Sequence, residues 1–236
     1  MHLGVDLDNT LIFYDEVFLW GAHQLNLLPN GWNGNRKQIR SYLRTQPDGE
    51  LTWQRLQGQV YGRWMDQASL FAGVYRFLWR CRLRKIHVGI VSHKSMFGHF
   101  DQQNIPLREA AKNFLIQSGI FSETNSSMIT SLEFASDQKT KLQIIGENKF
   151  DWFIDDLPEI LQSTEFPSHT LPMFFDPNNN IDSQQIEKVT SWPELENRFL
   201  GKWTNEELNT AAREIGNSKI ASVSLFEGGG NTSISK

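Results

Sequence analysis

The spacing of apolar positions along the chain changes several times, and each change marks a predicted element. A short apolar run at Leu3-Gly4-Val5 leads into acidic and amide groups and then into Leu11-Ile12, the pattern of a strand and the turn that follows it. Over residues 15–28, Val17, Phe18, Trp20, Ala22, Leu25 and Leu28 recur at helical spacing, with acidic groups at the start. Pro29-Asn30-Gly31 breaks that pattern, and two more helices are predicted over 38–44 and 51–65, separated by Pro47-Asp48-Gly49. A helix starting near residue 70 and running to 84 places Val74, Phe77, Leu78 and Cys81 on one face, with its arginines on a face expected to be solvated. The run 86–91 is apolar apart from His87 and ends in Ser92, as a buried parallel strand does. Further on, the pattern predicts a helix over 108–118 closed by Gly119 and a short strand at 128–130. It then predicts a helix capped by Ser136, a buried strand at 152–154, another at 170–175, and a helix from 191 to 200.

Strands alternating with helices predict an α/β, doubly wound, mainly parallel sheet. The stretch from 14 to 67 has no strand pattern and is expected to form a helical insertion, leaving 1–13 and 68–200 as the core. Composition adds limits. The 236 residues are 39% hydrophobic, with eight tryptophans and sixteen phenylalanines, enough for a large core. A net charge of −4 argues against a nucleic-acid partner. No run approaches the roughly 18 apolar residues of a membrane span, and the chain enters an apolar strand at once, so no membrane association and a cytoplasmic location are expected. The single Cys81 has no disulfide partner in the chain.

The candidate chemistry lies where predicted strands end. Asp6 and Asp8 stand two apart after the first strand, where curling backbone can turn both carboxylates into one crevice suited to a divalent metal and to acid/base work. Ser92 ends a second strand, where a hydroxyl beside free backbone N–H groups can hold a phosphoryl oxygen. His93 and Lys94 follow it, and the residues beyond, with Phe97, His99, Phe100 and Asp101, form a candidate specificity loop. Lys139 and Lys141 compete for a place near a helix start, with Lys141 preferred because it directly precedes the apolar Leu142. Asp155 and Asp156 end the strand at 152–154, and carboxylates so close to a core strand require compensation by a cation.

The frame apolar-Asp6-Leu7-Asp8-Asn9-Thr10-apolar, the strand ending in Ser92, the helix-start lysine and the Asp155-Asp156 pair occur in the order of the four motifs of the haloacid dehalogenase-like (HAD) superfamily, which this chain resembles over about residues 1–200. The resemblance implies a Rossmann-like core with a helical cap after the first strand, and an Mg2+-dependent phosphatase acting on a small phosphorylated metabolite. It implies Asp6 as nucleophile, Asp8 as general acid/base, and Ser92 and Lys141 as phosphoryl contacts. Thr10, His93 and Lys94 would be substrate contacts. The metal would lie among Asp6, the Asp8 backbone carbonyl, Asp155 and Asp156, with Asp156 the more direct ligand. Transfer of the phosphoryl group to another alcohol, or a non-catalytic module on the same fold, are the alternatives. Beyond residue 201 the chain changes character: a polar helix over 204–215 precedes a glycine-rich stretch, Gly228-Gly229-Gly230, between two apolar segments. This is similar to the first hairpin of aminoglycoside-phosphotransferase-like kinases and is expected to be either the truncated start of a second domain or a tail.

Overall fold

The computed structural model describes residues 1–98, 104–124, 126–179 and 186–217. The glycine-rich C-terminal stretch and His99, Phe100 and Asp101 lie outside the described residues. The architecture is an α/β fold built on a six-stranded sheet in the order β5-β4-β1-β6-β7-β8, and every adjacent pair is parallel. The strands are β1 (His2–Val5), β4 (His87–His93), β5 (Ser131–Ala135), β6 (Trp152–Asp155), β7 (Leu171–Phe175) and β8 (Glu187–Val189). Around them lie α4 (Val74–Leu83), α5 (Leu107–Gln117), α6 (Gln138–Asn148), the short α7 (Pro158–Leu161), α8 (Trp192–Leu200) and α9 (Asn205–Asn217). Among the described residues no helix is long and apolar enough to cross a membrane.

The register puts the chemistry in one place. Val5 pairs with Ile90 of β4 on one side and with Ile154 of β6 on the other. The residues just past these levels are Asp6, Ser92 and Asp155, so three adjacent carboxyl ends open onto one crevice. From β1 the strand order runs outward to β4 and β5 on one side and to β6, β7 and β8 on the other, the switch point at which open α/β sheets bind ligands. Gly4 and Gly89 are register partners, and a Cβ at Gly4 would come within 2.4 Å of the Phe153 ring and 2.6 Å of Phe150. Their missing side chains let both rings lie against the strands directly beneath the crevice.

Between β1 and β4 the chain makes a two-stranded antiparallel stem, β2 (Ile12–Phe13) with β3 (Ser69–Leu70). Three helices lie between these strands: α1 (Asp15–Gln24), α2 (Arg36–Arg44) and α3 (Gly49–Tyr61), followed by a 3-10 turn at Met65–Gln67. Asn35 and Gln38 form a reciprocal capping box at the start of α2. Phe18 of α1 stacks on Trp53 of α3 at 5.0 Å, and Trp20 meets Trp64 edge-on at 5.2 Å. Most of the aromatic residues here are therefore packing groups.

Several elements differ from the pattern reading. The strand expected at 128–130 lies at Ser131–Ala135, where only Ala135 is fully buried, because β5 is the sheet's edge. The cap of α6 is Asp137, whose carboxylate accepts the Thr140 N–H at 2.7 Å, while Ser136 donates to Asp137 instead. The helix expected from residue 70 begins only at Val74, since Ser69-Leu70 are taken up by the stem.

The arginine face of α4 is the largest correction. Arg80 is 1% exposed and binds Glu196 of α8 and Glu207 of α9 at 2.8 and 2.9 Å, with Trp203 beneath its guanidinium. Arg84 also binds Glu207, at 2.8 Å. Two helices distant in sequence thus supply counter-charges that helical spacing within α4 cannot reveal. Burial opposes the charge on Glu207, but hydrogen bonds from Arg84 and Arg80 outweigh it and hold the carboxyl well below the usual carboxylate range. Cys81, beside them, is pushed up to about 12 by burial and is an inert packing thiol.

A stability prediction follows from this network. The folded Glu207 keeps its charge to lower pH than the unfolded chain does. Its stabilisation is therefore complete above the unfolded value near 4.3 and is lost as pH falls from there toward the depressed folded value. Glu207→Gln should cost about 3–5 kcal/mol at pH 7. Its Tm deficit against the wild type should shrink below pH 4 in thermal melts.

Candidate active site

The crevice is built outward from β1. Asp6 N donates to the Ile154 carbonyl at 2.8 Å, continuing the pairing with β6 one residue past the strand. The chain then turns: Leu11 N and Ile12 N both donate to the Leu7 carbonyl, and Asn9 takes a left-handed backbone conformation (φ 64°) that asparagine tolerates well. This turn separates the two aspartates. Asp6 faces β6 and α6, and Asp8 faces the helical insertion.

Lys141, on the first turn of α6, is 1% exposed and bridges Asp6 and Asp155 at 2.7 Å to each. Asp155 also accepts Leu157 N at 3.0 Å. Lys139 is exposed on the outer side of the helix, over a shallow depression. Burial alone would discharge the Lys141 ammonium, but ion pairs with Asp155 and Asp6 outweigh it and hold its pKa above the usual value. Asp6 is pushed up to about 7, by burial first and then by Asp155 and Asp8, with Lys141 opposing. Burial raises Asp155 too, again against Lys141. Asp156 lies well above the ordinary range because of burial and the neighbouring Asp6 and Asp155 charges. One ammonium does not neutralise three carboxylates.

Asp6, Asp155 and Asp156 each offer an oxygen, all within 4.8 Å of one another. An all-oxygen set with uncompensated negative charge fits a hard divalent cation such as Mg2+. The Asp8 carboxylate stands outside this cluster. It accepts Tyr14 O–H at 2.6 Å and Lys94 Nζ at 2.7 Å. Lys94 is 3% exposed and lies over the Tyr61 ring at 4.7 Å. Thr10 is fully buried behind Asp6, its hydroxyl 3.4 Å from the carboxylate, and its carbonyl accepts Trp192 Nε1–H at 2.9 Å. His93 is exposed at the rim and donates from Nε2 to the Ser136 carbonyl at 3.1 Å.

Ser92 is the informative residue at the centre. It is 1% exposed, and its hydroxyl is the one buried side-chain polar atom among the described residues without a hydrogen-bond partner. Buried hydroxyls are nearly always satisfied, so an orphan at the carboxyl end of β4, beside an acidic cluster and an ammonium, is poised for a ligand oxygen.

The crevice thus contains Asp6, Ser92, Lys141, Asp155 and Asp156, with Asp8 and Lys94 on its insertion side and Thr10 behind. Tyr14 was not among the sequence candidates. It sits six residues past Asp8 at the start of α1, and an aromatic residue at a helix start carries no signal of a bond to a carboxylate. Arg36 was missed likewise: its Nη1 approaches Tyr61 O–H at 3.4 Å, and it lines a small cleft that includes Asp156.

No protein-family model and no curated protein matches the sequence. The fold is nonetheless that of known structures. It is similar to the magnesium-bound HAD-hydrolase YfnB of Bacillus subtilis at a TM-score of 0.54 and 13% identity, covering 84% of this chain and 98% of that one. It is similar to Protein Tyrosine Kinase A of Mycobacterium tuberculosis at 0.54 and 14%, covering 84% and 96%. It is also similar to CbbY of Rhodobacter sphaeroides, solved with phosphate, at 0.50 and 11%, covering 82% and 95%. The chain therefore has the fold of HAD-superfamily hydrolases.

Proposed function

We propose that the protein is an Mg2+-dependent phosphatase that hydrolyses a small phosphomonoester through a phosphoryl group carried on Asp6. The observation that carries this reading is the buried Asp6–Lys141–Asp155–Asp156 cluster beside the unpartnered Ser92 hydroxyl. It combines a nucleophilic carboxylate, a cation to receive a phosphoryl oxygen, and a set of carboxylate oxygens suited to Mg2+. The magnesium in YfnB and the phosphate in CbbY support the same reading.

Asp6, Asp155 and Asp156 would hold the ion, which when bound supplies charge neutralisation around the phosphoryl oxygens. Asp6 attacks phosphorus in line, and the ester P–O bond breaks as Asp8 gives a proton to the departing oxygen. In the resting site the two Asp8 oxygens accept hydrogen bonds from Tyr14 O–H and Lys94 Nζ, which hold the carboxyl in place. Asp8 then takes a proton from water, the water oxygen attacks phosphorus, and the bond to Asp6 breaks to release phosphate. Ser92 and Lys141 hold the phosphoryl oxygens throughout.

The test is phosphate release from an aryl phosphate with Mg2+ and with EDTA. Turnover only with Mg2+ is expected, and equal turnover in both would overturn the reading. Ser92→Ala should lose roughly 10²–10³ in kcat, as when a preorganised donor to a developing anion is removed. Its Tm should stay level or rise, because an unsatisfied buried hydroxyl is deleted. A large Tm loss would instead make Ser92 a packing residue.

A further inference from the structure

Asp8 is held on both of its oxygens, and the two holds differ in kind. Lys94 Nζ lies 2.7 Å from Oδ2, and Tyr14 O–H donates to Oδ1 at 2.6 Å. In the proposed function Asp8 gives a proton to the departing oxygen, so one of its oxygens must carry that proton. An ammonium has only donors, and the charge attraction that seats it on a carboxylate oxygen is lost once the carboxyl is neutral. A phenol O–H donates to the bare oxygen of a carboxylic acid as it does to a carboxylate. Of the two contacts, only the one from Tyr14 suits both forms of Asp8. With Oδ1 occupied as an acceptor throughout, Oδ2 is the oxygen left to exchange a proton.

The phenol has little freedom to point elsewhere. Tyr14 is fully buried at the N-cap of α1, and its ring meets Tyr61 of α3 edge-on at 4.9 Å. It also meets Phe18 edge-on at 6.4 Å, and Phe18 is itself stacked on Trp53. The other acceptor its hydroxyl approaches among the described residues is Met65 Sδ at 3.4 Å, a thioether and a weak one. The Asp8 side chain, by contrast, turns about two single bonds and follows a turn rather than a strand. We propose that Tyr14 is a positioning residue for the leaving-group step: it fixes the rotation of the Asp8 carboxyl so that Oδ2 delivers the proton to the departing ester oxygen. The proton passes from Oδ2 to that oxygen as the P–O bond breaks, and Oδ2 regains one from the attacking water. Tyr14 keeps its own proton in both steps and acts through Asp8 alone.

This inference rests on the phosphatase reading, and a series of leaving groups separates the two. Mg2+-dependent kcat/KM is measured for 2,4-dinitrophenyl, 4-nitrophenyl and phenyl phosphate, in wild type and in Tyr14→Phe, together with Tm. This ratio covers the steps up to departure of the phenol and leaves out the later attack of water. Dinitrophenolate departs without a proton, whereas phenolate needs one. Tyr14→Phe should therefore lower kcat/KM for phenyl phosphate by about 10–100-fold, a share of the roughly 10²–10⁴ that a positioned acid supplies, and change it for the dinitrophenyl ester by less than about threefold. A residue that only packs would lower all three esters alike. That outcome, or an undiminished rate on phenyl phosphate, overturns the inference. A second comparison holds even if Tyr14→Phe weakens the fold. In an Asp8→Asn background the same change should cost phenyl phosphate less than about threefold, because the group it positions can no longer give a proton. An equal loss in both backgrounds would show that Tyr14 does not act through Asp8. If wild type turns over none of the three esters, the phosphatase reading falls and takes the inference with it. Turnover with a loss independent of the leaving group removes the inference alone.

Discussion

Asp6→Asn is expected to lower Mg2+-dependent phosphate release by roughly four to six orders of magnitude, the scale on which deleting a covalent nucleophile acts. The fold should not suffer. Burial and the Asp155 and Asp8 charges push the Asp6 carboxyl up to about 7, so its ionised form is held against its own preference. The amide keeps the size and an acceptor for Lys141 while taking one negative charge out of the cluster. In EDTA the Tm of the variant should equal or exceed that of the wild type, the usual relation between a strained functional group and stability. Full activity in the variant would remove Asp6 from the chemistry. Lost activity together with a collapsed Tm would make it a structural residue.

Lys141→Met should act on both activity and stability. Methionine fills much the same space but leaves Asp6 and Asp155 facing each other without an ammonium. Breaking a buried pair costs about 3–5 kcal/mol, and for a chain of this size that lowers Tm by roughly 10 °C. Turnover should fall by about 10³ or more, since the ammonium proposed to stabilise the transferring phosphoryl oxygens is gone. Mg2+ offers a diagnostic. The Tm rise between EDTA and Mg2+ should be larger in Lys141→Met than in wild type, because added positive charge relieves more repulsion there. An equal or smaller rise would mean that the ion does not bind beside Lys141.

The parts of this protein that are legible in its sequence are those in which local pattern and chemistry coincide. Asp6, Ser92 and Asp155 each end an apolar run, and parallel pairing brings the ends of such runs together, so the crevice follows from strand order. Lys141 stands out from Lys139 only weakly in sequence, yet one sits 1% exposed between two carboxylates and the other faces outward. A separation of two residues on a helix nearly reverses the facing. What the sequence hides is set by distant partners. Arg80 has the spacing of a surface residue and becomes buried because Glu196 and Glu207 arrive from α8 and α9. Tyr14 reaches Asp8 through the turn that follows β1. The edge strands β5 and β8 lack the apolar run that marked the central ones: β5 is half-buried and β8 spans only Glu187–Val189.

The stem formed by β2 and β3 has a consequence for how the molecule can change over time. Ile12 and Phe13 lie beside Leu70 and Ser69, so the three helices leave and rejoin the core at one narrow neck. Material inserted at such a neck can lengthen, shorten or be exchanged while its two ends stay where they are. The carboxylates of β1 and β6 would keep their positions through such an exchange, whereas Gln54, Gln57, Tyr61 and Arg36 would go with the helices. The acidic crevice and the residues on its insertion side are therefore carried by separable stretches of the chain. Tyr14, one residue past the neck and bonded to Asp8, is the point at which one stretch reaches into the other.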